Sequence, residues 1–180
     1  IFLGLGLLSI FAAVAYTSGS NPYGYLGLGD LSVFLFFGLL GVLGTYYLHT
    51  QEFSPELILP AFSLGLFSAS VLNINNIRDI ESDNKAGKKS IPVRIGRKAA
   101  VIYNWFLIVA GNIALVIFVI VEESWGGLLA LLIFPLMIKI AQGISDSGKT
   151  SSQIDPYLKK MAFTTLVWVF LFGLGIIFLR

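Results

Sequence analysis

Long runs of apolar residues alternate with short polar segments along this chain of 180 residues. A helix needs about 20 apolar residues to cross the hydrocarbon core of a bilayer, where only helices and closed barrels satisfy their backbone hydrogen bonds. The runs are continuous and do not alternate at every second position, so the pattern predicts helices. We predict an all-α, polytopic transmembrane bundle in one domain, 1–180, with spans at Ile1–Tyr16, Leu31–His49, Leu57–Asn75, Ala99–Val121, Gly126–Gln142 and Met161–Leu179.

The composition supports this fold class. Hydrophobic residues make up 56% of the chain and charged residues only 12%, whereas about a quarter of the residues in a soluble domain are charged. We therefore expect membrane lipid to surround most of the surface. A net charge of +2 is too small to indicate a nucleic-acid partner, and the lack of cysteine excludes a disulfide framework.

Basic residues gather on one side of the predicted membrane. Six alternating spans place Thr17–Asp30, Asn76–Lys98 and Gly143–Lys160 on the same side. Eleven of the 12 basic residues go with these loops, and Arg180 alone lies opposite. The eleven are Arg78, Lys85, Lys88, Lys89, Arg94, Arg97, Lys98, Lys139, Lys149, Lys159 and Lys160. Because positive charge marks the cytoplasmic face, we predict cytoplasmic loops and an external C-terminus, with a bacterial inner membrane as the location.

The third span leads into a polar segment with candidate chemistry. In a continuous helix Asn75, Asp79 and Asp83 would stack at i, i+4 and i+8 on one face. Two stacked carboxylates repel each other unless a cation lies between them, and Mg²⁺ typically binds one or two carboxylates together with substrate phosphates. Nearby cations that could neutralise phosphate charge are Arg78, Lys88, Lys89 and Arg94. Polar groups at membrane depth are costly and usually functional, which favours a metal–diphosphate site over a solvated loop.

Two stretches of this sequence resemble one family. The pattern Asn75-Asn76-x-x-Asp79-x-x-x-Asp83-x-x-x-Gly87-Lys88, followed by Val93-Arg94-x-Gly96, resembles the second aspartate-rich motif of the UbiA superfamily of intramembrane prenyltransferases. The segment Tyr16–Asp30 is similar to the loop Y-T-G-G-x-x-P-x-x-Y-x-G-L-G-[ED] of the superfamily's menaquinone-pathway branch. Ser18 stands where that branch often has glycine.

The resemblance implies a reaction and roles for individual residues. The reaction would be Mg²⁺-dependent transfer of an isoprenyl chain from a prenyl diphosphate to an aromatic acid. In the menaquinone-pathway branch that acid is 1,4-dihydroxy-2-naphthoate, which loses CO2. Asp79 and Asp83 would be the catalytic metal ligands, and Tyr23 and Tyr25 would belong to an acceptor-side loop. The implied diphosphate-binding residues are Asn75, Asn76, Arg78, Lys88 and Arg94.

The same resemblance implies a longer enzyme. Superfamily members have nine transmembrane helices and two aspartate-rich motifs, whereas we predict six spans here and one motif after the third. Asp146 and Asp155 lie nine positions apart and do not repeat the motif. We therefore expect this chain to be the C-terminal part of such an enzyme, without its first three helices, and to be inactive alone.

Two other interpretations remain open at this point. The acceptor could be 4-hydroxybenzoate, homogentisate or another ring, because the aspartates would contact the diphosphate and not the acceptor. The chain could instead be a transporter or cation-binding bundle in which Asp79 and Asp83 bind a translocated ion. A transporter is expected to carry polar groups near the bilayer midplane, and the spans offer little there beyond Asn104 and Asn112.

Overall fold

The computed structural model describes residues 2–19, 22–146 and 148–179, and all regular structure in these residues is helical. The α-helices are α1 Phe2–Thr17, α2 Gly29–Val33, α3 Gly41–Thr50, α4 Ile58–Arg78, α5 Ile80–Lys85, α6 Ile91–Val121, α7 Phe134–Ile144 and α8 Ser151–Phe178. A π-helical segment, Phe34–Leu40, joins α2 to α3. Two 3₁₀ segments, Pro55–Leu57 and Trp125–Ile133, lead into α4 and α7.

The predicted spans are found as helices. Five helical stretches are long and apolar enough to cross a membrane: Gly29–Thr50, Pro55–Arg78, Ile91–Val121, Trp125–Ile144 and Ser151–Phe178. The first predicted span corresponds to α1, which is apolar but has only 16 residues. Ile1, Ser20, Asn21, Ser147 and Arg180 lie outside the described residues.

The last helix begins ten residues before the predicted start at Met161. Thr150 and Gln153 form a capping box there, in which the Thr150 backbone N–H donates to Gln153 Oε1 at 2.9 Å. Such a cap satisfies backbone N–H groups that have no partner inside the helix. Helix α8 extends beyond its apolar run, and the additional turns contain Asp155 and Tyr157. Hydropathy predicted only the apolar part of this helix.

Helix α4 lies at the centre of the bundle, packed against α6, α8 and the π-helical segment. Its buried Phe67 makes an edge-on contact with Trp168 of α8, with ring centroids 5.2 Å apart. Gly38 lies against the backbone of Gly65, since a Cβ on Gly38 would be 2.6 Å from the Gly65 Cα. These contacts bring the π-helical segment and α8 to flank α4.

Buried polar groups fix how α4 faces α6. Ser70 Oγ donates to Asn104 Oδ1 at 3.0 Å, and Asn73 Nδ2 donates to the Ala100 carbonyl at 2.9 Å. In a membrane the hydrophobic effect does not drive helices together, because lipid tails are as apolar as the side chains. Interhelical hydrogen bonds of this kind therefore help to hold the helices together. With Ser70 and Asn73 turned to α6, the opposite stripe of α4, which includes Leu72 and Asn75, faces a cavity.

Candidate active site at the end of helix α4

The predicted aspartate motif lies where α4 meets α5. Helix α4 ends at Arg78, and Asp79 separates the two helices with φ −101° and ψ 13°. Helical spacing nevertheless continues through this junction. The Asp79 N–H donates to the Asn75 carbonyl at 3.1 Å, and the Asp83 N–H donates to the Asp79 carbonyl at 2.8 Å. The three residues are therefore linked turn by turn, as the i, i+4, i+8 spacing predicts.

Arg78 is the centre of one group of ion pairs. Its Nε and Nη2 atoms donate to the two carboxylate oxygens of Asp79, both at 2.8 Å. Nη2 also donates to Asn75 Oδ1 at 2.9 Å, and Nη1 donates to Asp155 Oδ1 at 2.7 Å. A planar guanidinium suits this forked arrangement, in which bidentate, charge-assisted bonds fix both partners. We call Asn75, Arg78, Asp79 and Asp155 the Arg78 cluster.

Lys88 is the centre of a second group. Its Nζ donates to Asp83 Oδ2 at 2.8 Å and to Asn76 Oδ1 at 3.2 Å. Ser90 Oγ also approaches Asp83 Oδ2, at 3.4 Å. The Lys88 and Asp83 side chains are only 19% and 14% exposed, so water screens this pair less than a surface pair. We call Asn76, Asp83, Lys88 and Ser90 the Lys88 cluster.

The glycine-rich loop docks on the segment that follows Lys88. The Lys89 N–H donates to the Tyr25 carbonyl at 2.8 Å, and Arg94 Nε donates to the Lys89 carbonyl at 2.9 Å. The Arg94 guanidinium also bonds the Leu26 carbonyl. Gly27 has φ +79°, and a Cβ there would lie 2.3 Å from the Lys89 carbonyl oxygen. The two stretches that carry the family resemblance are therefore in direct backbone contact.

The two tyrosines predicted for the acceptor side differ in position. Tyr23 packs edge-on against Tyr16, with ring centroids 5.3 Å apart. Tyr25 takes part through its carbonyl, while its side chain is exposed. Tyr16 lines two cavities, and Tyr23 lines one of them. The structure thus puts Tyr16, the first residue of the loop, nearer to the cavities than Tyr25.

A cavity of about 740 Å³, here the Lys88 cavity, opens beside these clusters. Lys88 and Asn75 contribute its charged and amide groups, and Tyr16 adds an aromatic ring. The remaining wall is largely apolar and includes Val33, Phe37, Val71, Leu72, Leu158 and Ala162. Small-molecule sites are commonly concave and mostly apolar, with a few placed polar groups. The cavity therefore fits a ligand with an anionic head and a hydrocarbon body.

The donor set at the clusters suits a metal that is also held by substrate. In the described part of the chain no three His, Cys, Asp or Glu side chains converge as a closed metal site. Asp79 and Asp83 are instead salt-bridged to Arg78 and Lys88. Two carboxylates and an amide oxygen are ligands that suit Mg²⁺ when phosphate oxygens and water complete its shell, and the adjacent cations suit the phosphate. The residues are compatible with such a shared ion.

Comparison with known proteins decides the family. Residues 1–167 match the UbiA prenyltransferase family. The chain belongs to the UbiA prenyltransferase family. It is 45% identical to a 1,4-dihydroxy-2-naphthoate octaprenyltransferase of Haemophilus influenzae, over 98% of this chain and 57% of that protein. A relative with the same name from Escherichia coli is 43% identical, over 97% of this chain and 57% of that protein.

More distant relatives extend the comparison. A 1,4-dihydroxy-2-naphthoate octaprenyltransferase of Mycobacterium tuberculosis is 36% identical, over 92% of this chain and 56% of that protein. No solved structure matches the chain significantly. The chain spans a little over half the length of these curated relatives.

Within this UbiA-family chain, the predicted residues gather in neighbouring places. Asn75, Arg78 and Asp79 join one cluster, and Asn76, Asp83 and Lys88 join the other. Arg94, Tyr23 and Tyr25 lie in or against the docked loop. Sequence reasoning did not single out Asp155, Ser90 or Tyr16 as site residues. The spacing of Thr150 and Gln153, which is typical of a capping box, could have indicated that α8 reaches this end, but no local pattern pairs Asp155 with Arg78.

Proposed function

We propose that this chain forms the diphosphate-binding part of an aromatic prenyltransferase of menaquinone biosynthesis. The donor would be a prenyl diphosphate, and the acceptor 1,4-dihydroxy-2-naphthoate. The observation that carries the proposal is the Lys88 cavity, where Lys88 and Asn75 border an apolar chamber beside the aspartate motif. A prenyl diphosphate has this same division between charged head and hydrocarbon tail. The relatives from Haemophilus influenzae and Escherichia coli, both named 1,4-dihydroxy-2-naphthoate octaprenyltransferase, support this choice of acceptor.

The two clusters would bind the head of the donor. Lys88 pairs with Asp83 and Arg78 pairs with Asp79, each at 2.8 Å. Both cations are therefore oriented before the donor binds. Asp79 and Asp83 would hold Mg²⁺, which supplies positive charge to the departing diphosphate. Lys88 would then donate to a phosphate oxygen in place of Asp83. Charge-assisted bonds of this type are stronger than neutral ones and grow in value as negative charge develops.

The apolar wall would protect the reacting carbon. The allylic C–O bond breaks and diphosphate leaves with the electron pair. A ring carbon of the acceptor forms the new C–C bond, and the acceptor carboxylate is lost as CO2. Val33, Phe37 and Leu72 line the cavity beside the charged groups, so they would keep water from the allylic cation.

Membrane orientation belongs to the same proposal. The clusters lie at the end of the bundle to which the eleven basic residues were assigned, and we call it the basic end. The positive-inside tendency supports a cytoplasmic position for this end and an external C-terminus. The bacterial relatives support an inner-membrane location. Both substrates would then reach the site from the cytoplasm or the adjoining leaflet.

The single aspartate motif suggests that another part of the enzyme completes the site. We propose that turnover needs a second motif on three further helices, as the resemblance implies. Below, "full-length enzyme" means this chain joined to those helices. The chain by itself is expected to be inactive, because a diphosphate would lack much of its counter-charge. Each lost close charge contact in a water-poor site is worth several kcal/mol, and about 1.4 kcal/mol is tenfold in rate.

An assay that compares acceptors one at a time tests the proposal. Membranes containing the full-length enzyme receive Mg²⁺, a prenyl diphosphate and one of three acceptors: 1,4-dihydroxy-2-naphthoate, 4-hydroxybenzoate or homogentisate. Mass spectrometry is expected to show a prenylated, decarboxylated naphthoquinol. If only 4-hydroxybenzoate or only homogentisate gives product, the assignment of 1,4-dihydroxy-2-naphthoate as the acceptor is wrong. Absence of product from all three, with the protein correctly inserted, would reject the enzyme assignment. Robust turnover by the chain alone would reject the two-motif requirement.

A further inference from the structure

The glycine-rich loop ends in a buried carboxylate, that of Asp30. This residue lies in the first turn of α2 and is only 6% exposed. The Tyr103 hydroxyl of α6 donates a hydrogen bond to the carboxylate. The Oδ2 atom of Asp30 is buried and has no hydrogen-bond partner among the described residues. Because a buried charge is costly unless it is paired, this carboxylate needs a cation nearby. An ionisable residue buried inside a span is also a candidate for a functional role.

Asp30 lies directly behind the wall of the Lys88 cavity. A Cβ on the preceding residue, Gly29, would be 3.0 Å from the Tyr16 hydroxyl and 3.2 Å from Leu72 Cδ2. Tyr16 and Leu72 both line the cavity, whereas Asp30 does not. The carboxylate is therefore placed to act on a group in the wall and not on a bound ligand directly.

Lys88 is the cation on which Asp30 acts. The two charges are close enough to attract each other, and Lys88 lines the cavity. Lys88 Nζ is hydrogen-bonded to Asp83 and Asn76, which belong to α5 and α4. Asp30 comes from α2, more than 50 positions earlier in the chain. Lys88 is thus attracted by carboxylates from two separate parts of the chain, and water screens such buried charges only weakly.

The proposed function places competing demands on Asp83. As a ligand of Mg²⁺, Asp83 would have less negative charge to offer Lys88, and the metal ion would repel the ammonium group. Asp30 belongs to neither cluster, and its hydrogen bond to Tyr103 orients it away from this competition. Its negative charge would therefore remain available to Lys88 once Asp83 has a metal to bind.

We propose that Asp30 is a positioning residue for Lys88: its buried carboxylate, oriented by Tyr103, keeps the Lys88 ammonium group at the cavity while that group binds the diphosphate of the donor. This inference rests on the proposed function. It also predicts a definite sign. A carboxylate that acted only on the diphosphate would repel it, so removing the charge would tighten donor binding. If Asp30 acts through Lys88, removing the charge weakens donor binding instead.

A double-mutant cycle in the full-length enzyme tests the proposal. Asp30→Asn removes the charge and keeps an oxygen that can accept from Tyr103, and each variant is made with and without Lys88→Ala. Glu81→Gln is the matched control, because it removes an exposed carboxylate close to the motif. The measurements are the Kd of an unreactive prenyl thiodiphosphate in the presence of Mg²⁺ and the KM of each substrate.

The expected result is a coupling between Asp30 and Lys88. Asp30→Asn should raise Kd and KM for the donor about fivefold when Lys88 is present, but less than about twofold when Lys88 is alanine, because residues that act together are not additive. The KM of the acceptor should stay within about twofold, as should every value in Glu81→Gln. An equal loss in both backgrounds would overturn the proposal, since Asp30 would then only support the fold of the loop. Unchanged or tighter donor binding in Asp30→Asn would overturn it as well.

Tyr103→Phe provides a second variant, which decides the matter if Asp30→Asn does not accumulate in the membrane. It keeps the charge of Asp30 and removes the hydrogen bond that orients it. A weaker donor affinity that again depends on Lys88 supports the proposal, and a loss independent of Lys88, or no loss, overturns it. Product formation by the unaltered enzyme separates the two ideas. If product forms and the cycle shows no coupling, only the role of Asp30 is wrong. If no acceptor gives product, the proposed function itself is wrong.

Discussion

Arg78 and Asp155 lie 77 positions apart in the chain, yet Arg78 Nη1 donates to Asp155 Oδ1 at 2.7 Å. The same guanidinium holds both carboxylate oxygens of Asp79 at 2.8 Å. Ser151 Oγ donates to the Arg78 carbonyl at 2.7 Å, so the first turns of α8 are hydrogen-bonded to the end of α4. The orientation of the predicted metal ligand Asp79 therefore depends on a residue from the last helix.

Asp155→Asn in the full-length enzyme should lower kcat/KM for the prenyl donor roughly fivefold. The substitution removes the countercharge from Arg78, whose guanidinium also holds both carboxylate oxygens of Asp79, and the partly exposed pair makes the expected effect modest. Lys159→Ala is the control, because Lys159 pairs with the other oxygen of the same carboxylate but is 77% exposed. The measurement is steady-state kinetics with each substrate varied. An equal effect of the two substitutions would contradict a specific role for the Arg78 link.

Hydropathy predicted the bundle because lipid imposes a simple rule on each span. It could not predict how far helices continue into water, and α8 shows this clearly. Its first ten residues include Asp155, Lys159 and Lys160, and a capping box, not an apolar run, starts the helix. The π-helical turn at Phe34–Leu40 was also missed, since its sequence is as apolar as an ordinary span. Within this π-helical segment Gly38 packs directly against Gly65 of α4, a contact between distant residues that the local sequence does not reveal.

Asp79→Ala and Asp83→Ala should each reduce turnover on the order of 100-fold or more, as expected when a group that stabilises developing charge is lost. Membrane insertion should be unaffected, because both residues lie past the apolar part of α4. Glu81→Ala is the matched control: Glu81 is an exposed carboxylate on the same short helix. Turnover is measured across a Mg²⁺ titration. Near-normal activity of both aspartate variants at saturating Mg²⁺ would remove the metal-site assignment.

Lys88→Ala should raise KM for the prenyl diphosphate roughly tenfold and leave KM for the aromatic acceptor unchanged. Lys88 borders the cavity and is mostly shielded from bulk water beside Asp83, so it offers a charge-assisted bond to phosphate. Lys85→Ala removes an exposed cation three positions away and serves as the control. Initial rates with each substrate varied in turn separate the two KM values. An increase confined to the acceptor would contradict the assignment.

The sequence motif could predict which residue types meet at the site, but not which partners each one chooses. The spacing of Asp79 and Asp83 follows from helical geometry and was predictable. The contact of Arg94 with the Leu26 carbonyl depends on how the glycine-rich loop folds back over 68 positions. In the structure Arg94 holds backbone groups of that loop, and binding of diphosphate by Arg94 stays a prediction.

Gly27→Ala should damage the site more than Gly87→Ala, although both glycines have positive φ, +79° and +73°. Either substitution strains the backbone by about 1–2 kcal/mol, because an L-residue carries a Cβ in the left-handed region. Only at Gly27 would that Cβ also meet another segment, 2.3 Å from the Lys89 carbonyl oxygen, whereas Gly87 has nothing within 4 Å. The difference between the variants therefore isolates the docking of the loop on the segment after Lys88.

We expect kcat/KM for Gly27→Ala to fall roughly tenfold below that of Gly87→Ala, which corresponds to about 1.4 kcal/mol. Limited proteolysis should cut within residues 22–28 faster in Gly27→Ala alone. Indistinguishable kinetics and cleavage in the two variants would mean that strain at a positive φ, and not contact between the two motifs, accounts for the effect.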